Sequence, residues 1–495
     1  MRNCVLGIDV GTSATKIIAV DEAARVVASV TEAYPVFSPY PGWSEQNPSD
    51  WWEAVKSGLG KISADIRDYR VISIGLSGQM HGMVALDGSY NVIRPAILWN
   101  DQRTVKQCDE ITEAAGGLDS LLARTNNRML TGYTGGKILW MKQNEPENYK
   151  KTKIILNPKD YIRFKLSGGL FTDVSDASGT GFFDVKNRKW SAELIRKAGL
   201  DISIFPKAVE STEITGFLSE KAAEQTGLES KIPIAGGGGD AVISAAGMGL
   251  SIPGRVGITL GTSGVVTVNM PGFAENRLGA VQFFCGNEAG SYNAAGCMLS
   301  AAGSYQWLGD NFRADGESRF IDMDAAADKV PAGSDGLMFL PYLNGERCPV
   351  NDSGARGAFL GITSRHGNGH FARSVLEGVS LTVRQIYELI AGMGGLSTGE
   401  VILAGGGAKS PLWRQIVADV LNMPVSTLYG STEGGAYGAA MVAITGAGMC
   451  SSLSEASGLI KRMNQTEPLA QNAAVYGEIY AKYINIYDAI KVFND

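Results

Sequence analysis

Near the start of the chain, Gly7-Ile8-Asp9-Val10-Gly11-Thr12-Ser13 is followed by Lys16. A carboxylate, two hydroxyls, free backbone amides and an ammonium therefore fall within reach of one tight turn. That set suits a metal-bound polyphosphate: Asp9 can hold Mg²⁺ directly or through its waters, while the turn amides, Thr12, Ser13 and Lys16 can meet phosphate oxygens. The plainer reading of Asp9 is a strand-end carboxylate closing an ordinary turn. A second carboxylate, Asp240, follows four consecutive glycines, Gly236–Gly239, and precedes Ala241-Val242-Ile243-Ser244-Ala245-Ala246. Glycines remove bulk around it, so a substrate hydroxyl could approach, as a general base in phosphoryl transfer requires. The local pattern favours a commoner use, an Asp capping the helix that follows. A third group, Gln79-Met80-His81, combines an amide, a flexible apolar side chain and an imidazole in a way that suits a polyol. No neighbouring Ser/Asp arrangement turns His81 into part of a hydrolase triad. Trp99-Asn100-Asp101-Gln102-Arg103 could serve a site or form an internal salt-bridged turn.

The elements that must position these groups are strands ending in glycine. The sequence holds 63 glycines in 495 residues, close to twice the usual fraction of about 7%. They cluster where β-like runs stop: Gly11, Gly75–Gly78, Gly236–Gly239, Gly261–Gly264, Gly405–Gly407 and Gly434–Gly435. Such turns let a ligand approach backbone amides closely, which cradles phosphate without a cluster of charge. Gly257-Ile258-Thr259-Leu260-Gly261-Thr262-Ser263-Gly264 repeats the pattern of Gly7–Ala14 half a chain later, with Thr259 where the first copy has Asp9. Both copies run into β-branched residues, so each reads as a hairpin turning at Gly-Thr-Ser. Later in each half another strand meets a glycine cluster, Ile232–Ala235 before Gly236 and Val401–Ala404 before Gly405. The pattern predicts an α/β protein of two similarly folded domains, with a boundary near Ala245–Pro253 and glycine turns facing one cleft. Asn47 and Pro48 predict a helix start, and Tyr476, Ile479, Tyr480, Tyr483, Tyr487 and Ile490 a terminal helix docked by its aromatic face.

Composition removes several functions. The formal charge is −6, from 44 basic and 50 acidic residues, so no global positive field recruits nucleic acid or an anionic membrane. Asp9 interrupts the first apolar run too early for a signal-peptide core, and the long uncharged stretches are diluted by Gly, Ser and Asn, which makes the cytoplasm the expected compartment. The 6 cysteines form no CxxC pair and histidines number 3, which argues against a disulfide framework or a zinc site. Neither a P-loop motif nor a protein-kinase glycine loop with H-R-D is present.

The chain resembles the FGGY carbohydrate kinases, within the actin and hexokinase-like ATPase superfamily. Gly132–Asn144 fits the first family signature and Gly357–Glu377 the second, with Phe359, Gly361, His370-Phe371, Ser374 and Glu377. Gln79–Gly82, Trp99–Asp101, Pro158–Tyr161 and Pro341–Arg347 are most similar to members acting on D-xylulose. The resemblance implies two ribonuclease-H-like domains, 1–246 for sugar and part of the phosphate site and 247–495 for ATP, closing over both substrates. It further implies Asp9 at the Mg²⁺–phosphate region, Gly261 and Thr262 in a second phosphate loop, and Gly406, Gly407 and Ala408 at adenosine. Gln79, Met80 and His81 would hold the sugar, and Asp240 becomes the general base. The implied activity is ATP-dependent phosphorylation of a ketopentose, with small-molecule partners, no nucleic acid or membrane, and compatibility with a homodimer. Two departures stand out: Ala241 where such members usually carry Asn after the base, and Gly135-Gly136 where Ala-Pro is commoner. Competing readings are a kinase for another ketose or polyol, such as ribulose, and a sugar-independent actin- or chaperone-like ATPase.

Overall fold

The computed structural model describes residues 2–312, 318–394, 396–430 and 433–493. Two seven-stranded sheets carry the fold. The first contains β1 (Arg2–Val10), β2 (Ala14–Asp21), β3 (Val26–Ala33), β4 (Tyr69–Gly78), β5 (Ile214–Phe217), β6 (Pro233–Ala235) and β7 (Gly238–Gly239). Their order is β5-β6-β4-β1-β2-β3, with β7 also paired to β4. The second sheet holds β8 (Arg255–Leu260), β9 (Gly264–Met270), β10 (Gln282–Cys285), β11 (Tyr292–Met298), β12 (Glu400–Ala404), β13 (Val425–Leu428) and β14 (Arg462–Thr466), in the order β10-β11-β9-β8-β12-β13-β14. In each, a β-hairpin pairs antiparallel while a strand from later in the chain lies parallel to the hairpin's first member. Both Gly-Thr-Ser segments sit at the hairpin turns, where the Gly11 N–H donates to Ala14 O (3.0 Å) and the Gly261 N–H to Ser263 O (3.0 Å).

The two later strands that meet glycine clusters are not equivalent in the two sheets. By position in its sheet, Val401–Ala404 in β12 is the counterpart of β4, the parallel neighbour of β1, whereas Ile232–Ala235 corresponds to β13. Glycine clusters follow several strands in each half, so a glycine cluster alone does not fix a strand's place in the sheet.

Five helices matter for the site: α1 (Pro48–Asp65), α2 (Asp240–Gly247), α3 (Asn368–Ala391), α4 (Gly435–Gly446) and α5 (Ala470–Tyr483). Helix α1 begins at Pro48 as expected, but the Asn47 side chain makes no capping bond; the Asp50 N–H reaches its carbonyl instead (2.9 Å). Helix α4 belongs to the later half of the chain and packs on the first sheet. A Cβ built on Gly7 would lie 2.0 Å from Ala436 O, and one on Gly75 1.9 Å from Ala439 O. A single core accordingly joins Val5, Ile18 and Ala235 with Ile243 and Ala245 of α2, Ile402, and Ala436, Ala439 and Ala443 of α4. The glycine at the start of the first hairpin motif is thus required by helix packing.

The tail docks by its tyrosines, with Tyr476, Tyr480 and Tyr483 of α5 buried, but the expected single helix stops at Tyr483, and Tyr487 and Ile490 lie on a separate short helix, Ile486–Ile490. Its anchor is polar: Glu377 on α3 accepts from Tyr476 Oη (2.7 Å), Arg373 Nε (2.8 Å), Gly333 N (2.9 Å) and Ser334 Oγ (2.8 Å). Glu377→Leu strands a buried guanidinium and is expected to lower the unfolding free energy by about 3 kcal/mol in urea titrations. An Arg373→Met/Glu377→Leu double variant should recover most of that loss, because neither charge is then left unpaired.

Candidate active site

Register brings the separated motifs together. Val10 at the end of β1 pairs with Gly78 at the end of β4, and Gly78 pairs with Gly239 of β7. The Gly11–Ser13 turn, the Gln79–His81 segment and Asp240 therefore leave the carboxyl ends of three strands at one edge of the first sheet, the usual place for a ligand in such sheets. In the second sheet Thr259 pairs with Ala404, which sets the Gly261–Ser263 turn beside Gly405–Ala408. Gly405, at φ +86°, turns the chain into a short 3₁₀ segment, Gly406–Lys409; Gly407 and Ala408 are buried in it while no side chain or backbone crowds Gly406.

Asp9 is partly covered at the end of β1. Its Oδ1 accepts from Ser77 Oγ (2.7 Å), and a Cβ on Gly435 would lie 2.8 Å from the same oxygen. Burial raises its pKa, opposed by the Ser77 bond and the charge of Lys16. Lys16 stands directly across the hairpin from Asp9, with its ammonium 2.5 Å from Glu433 Oε2. Thr12 is tied on both sides: its Oγ1 accepts from Trp99 Nε1 (2.9 Å) and its carbonyl from Gln46 Nε2 (2.7 Å). Ser13 is exposed, its carbonyl accepting from Tyr34 N (3.1 Å). In the second turn the Thr262 carbonyl accepts from Ala301 N (2.8 Å) and Gly303 N (3.1 Å), and the Gly261 carbonyl from Ala302 N (2.8 Å).

A cavity of about 530 Å³ adjoins this edge, lined by Met80, His81, Trp99, Asn100, Tyr133, Asp240 and Ala241 from the first half and by Val265, Cys297 and Arg347, among others, from the second. Asp240 is the first residue of α2, and the expectation of a cap gives way to a different geometry. Gly239 occupies the cap position, and Asp240 Oδ1 accepts from its neighbour's amide, Ala241 N, at 2.7 Å, while the Met80 backbone N–H also donates to the carboxylate. Burial first, then the Asp9 carboxylate, push its pKa from 3.8 up to about 8. Its backbone is held from beneath. The Gly239 N–H donates to Ser175 Oγ (3.0 Å), Ser175 Oγ donates to Asp173 Oδ2 (2.5 Å), and Asp173 faces Lys159 Nζ (2.8 Å). Lys159 also meets Asp160 (2.6 Å) and Asp176 (3.0 Å), all fully buried.

His81 has a left-handed backbone (φ +69°), fixed by Lys137 Nζ (2.7 Å) and Thr134 Oγ1 (3.1 Å) donating to its carbonyl. Its Nδ1 lies 2.7 Å from Gly179 O, which can only accept, so Nδ1 carries the proton and Nε2 is an acceptor. Burial and the charge of Lys137 lower its pKa to about 3, making it a neutral hydrogen-bonding group. Met80 is buried, packed against Gly239. Gln79, expected to face the substrate, is not among the residues lining the cavity. It is buried under the first turn, donating to Gln46 Oε1 (2.9 Å) and Gly11 O (3.3 Å).

In the Trp99–Arg103 segment the internal salt-bridged turn is present. Asp101 and Arg103 form a buried pair (2.6 Å), while Trp99 and Asn100 face the cavity. Sequence reading did not assign a role to Arg347, Tyr133 or Ser175. The first two lie inside stretches quoted only for resemblance; Ser175 carries no local signal, since its bond to Gly239 crosses 64 residues.

Comparison with known proteins agrees with this arrangement. Residues 4–247 match the N-terminal domain, and 256–447 the C-terminal domain, of the FGGY family of carbohydrate kinases. The chain is 38% identical to a xylulose kinase of Bacillus subtilis, covering 99% of this chain and 98% of that one. It is likewise 36% identical to a xylulose kinase of Escherichia coli, over 95% and 96%. A crystal structure of xylulose kinase from Rhodospirillum rubrum superposes with a TM-score of 0.91 at 30% identity, covering 99% of each chain. With both domains matched in sequence and fold, this chain belongs to the FGGY family of carbohydrate kinases.

Proposed function

We propose that this protein transfers the γ-phosphoryl group of ATP to the 5-hydroxyl of D-xylulose, with Asp240 as general base. The observation that carries the site assignment is the cavity that joins the Asp240 carboxylate to Met80 and His81 at the edge where the Asp9 strand and the Gly11–Ser13 turn end. The substrate choice is supported by relatives named xylulose kinase that align with this chain over nearly its whole length.

Asp240 accepts the hydroxyl proton as that oxygen bonds to the γ-phosphorus and the bond to ADP breaks. Its raised basicity suits it to the task. His81 Nε2 can accept from a sugar hydroxyl, and Met80 supplies an apolar wall. The Gly11–Ser13 and Gly261–Thr262 turns present amides and hydroxyls to the phosphates, and Gly406 leaves room for adenosine, with the buried Gly407 and Ala408 shaping the turn beneath it. Lys16 reaches phosphate only by leaving Glu433. Among the described residues no three His, Cys, Asp or Glu side chains converge as a metal cage. One carboxylate beside a polyphosphate is nonetheless a donor set that Mg²⁺ accepts, since it keeps waters and binds substrate phosphates. Asp9 is that carboxylate, and the ion supplies neutralisation of phosphate charge. Residues 1–246 are assigned the sugar and part of the phosphate site, and residues 247–495, with α4 reaching back onto the first sheet, the nucleotide. No helix among the described residues is long and apolar enough to cross a membrane.

A coupled ADP-release assay across D-xylulose, D-ribulose, other ketoses and pentitols tests the reading. D-xylulose should give the highest kcat/KM; sugar-independent ATP turnover would overturn it. Ala241 puts a methyl group where an amide could read a hydroxyl, so discrimination among pentuloses should be about tenfold to a hundredfold only.

A further inference from the structure

The cavity contains one charged side chain that neither the mechanism above nor any neighbour uses. Arg347 lines it from the second half of the chain, and Asp240 and His81 line it from the first. Its guanidinium makes no hydrogen bond or ion pair with any described residue. The other arginine of the lining, Arg128, differs: it donates to the carbonyls of Gly279 (3.2 Å) and Leu278 (2.9 Å). The carboxylate next in sequence feels the charge of Arg347 but forms no ion pair with it. Glu346 is turned inward, accepting the amides of Leu299 (2.9 Å) and of Arg347 itself (2.7 Å), so it fixes the backbone while the guanidinium stays free.

The loop is built to hold this residue in place. Glu346 N donates to Asp352 O (2.8 Å), Asp352 N returns the bond to Glu346 O (2.7 Å), and Asn351 N donates to the Arg347 carbonyl (2.9 Å). Gly345, at φ +79°, lets the chain pass Ser353, whose carbonyl would lie 2.7 Å from any added Cβ. A five-donor planar cation with no hydrogen-bond partner, on a braced loop, in a cavity that also carries the reactive carboxylate, is arranged to meet an acceptor on the ligand. The charge of Arg347 acts on His81 and Tyr133 across the cavity as well as on its own neighbours Glu346 and Cys297.

Resting on the assignment of a ketose substrate, we propose that Arg347 is a specificity-determining residue that donates to the carbonyl end of the sugar while the opposite terminal hydroxyl lies at Asp240. A ketose offers there an sp² oxygen and an adjacent hydroxyl, a pair of acceptors that a forked cation can engage together. The corresponding pentitol offers only hydroxyls. Because Arg347 and Asp240 belong to different halves, the same contact lets only a correctly oriented sugar bridge them.

The test compares the wild type with Arg347→Met and Arg347→Lys, using D-xylulose and the pentitols xylitol and D-arabitol as acceptors, with KM, kcat and thermal midpoint measured for each. The expected result is a KM for D-xylulose raised at least tenfold in Arg347→Met, with kcat within about threefold and an unchanged midpoint, since the side chain is exposed. The preference for D-xylulose over the pentitols should fall by a similar factor, with Arg347→Lys intermediate and guanidinium ion partly restoring Arg347→Met. If the wild type phosphorylates D-xylulose and the variants keep its preference over pentitols, or if KM rises equally for both classes, the inference is overturned while the function stands. If the wild type phosphorylates no ketose, the functional reading fails and takes this inference with it.

Discussion

Asp240→Asn is expected to lower kcat with D-xylulose by about a thousandfold, with KM changed little, because the amide keeps the shape of the side chain and loses the proton acceptor. Two properties of the site sharpen the expectation. The base must be ionised to act, and burial together with Asp9 holds its pKa at about 8, well above its ordinary 3.8. In the free wild-type enzyme, kcat/KM should therefore climb with pH and level off above about 8. The same shift acts on stability with a definite sign. The folded state keeps the proton more tightly than the unfolded chain, so this group's contribution is fully present below pH 3.8 and is lost as pH rises through about 8. Asparagine has no charge to bury. Its thermal midpoint relative to wild type should increase across that window, so a variant both inactive and more heat-stable at pH 8 identifies a catalytic loss. Activity within about tenfold of wild type would remove Asp240 from the role of base.

How much of this was legible in the residues follows from the range over which each interaction acts. The two Gly-Thr-Ser hairpins are local: turn glycines and β-branched flanks specify them within twenty residues, and both occur where expected. The dependence of Asp240 on Ser175 and the buried Lys159 cluster is not local. Serine, lysine and aspartate there look like solvated surface until the fold buries them. Gln79 shows the opposite failure: its polar type and its place beside Met80 and His81 suggested substrate, yet the strand ends at Gly78, the chain turns through a left-handed His81, and the Gln79 amide braces the Gly11 turn instead. Arg347 could be read only as part of a family stretch, because nothing in sequence says whether an arginine beside a glutamate is paired with it. The backbone bonds made by Glu346 decide that it is not.

The second large effect is expected where the two sheets are joined. Gly438→Ala should cost at least about 4 kcal/mol, enough to abolish recovery of folded protein, and Gly75→Ala should do the same. The reason is contact between backbones. A Cβ on Gly438 of α4 would lie 1.9 Å from the carbonyl oxygen of Ile243 in α2, and one on Gly75 of β4 equally close to Ala439 O. Carbonyl oxygens of a helix cannot rotate away as a side chain would, so a whole helix must move. Gly75 and Gly438 both have negative φ, so left-handed strain is not the cause, and propensity alone predicts that Ala improves a helix. Gly446, on the same helix, provides a control with a smaller penalty: its added Cβ would lie 2.9 Å from Thr212 O. Because α2 begins at Asp240 and α4 begins beside Asp9, any surviving Gly438→Ala protein should lose kcat along with stability, whereas Gly446→Ala should lose stability alone. Measured unfolding free energies that rank Gly438→Ala as no worse than Gly446→Ala would show that the helices separate freely and that their crossing does not set the positions of the two carboxylates.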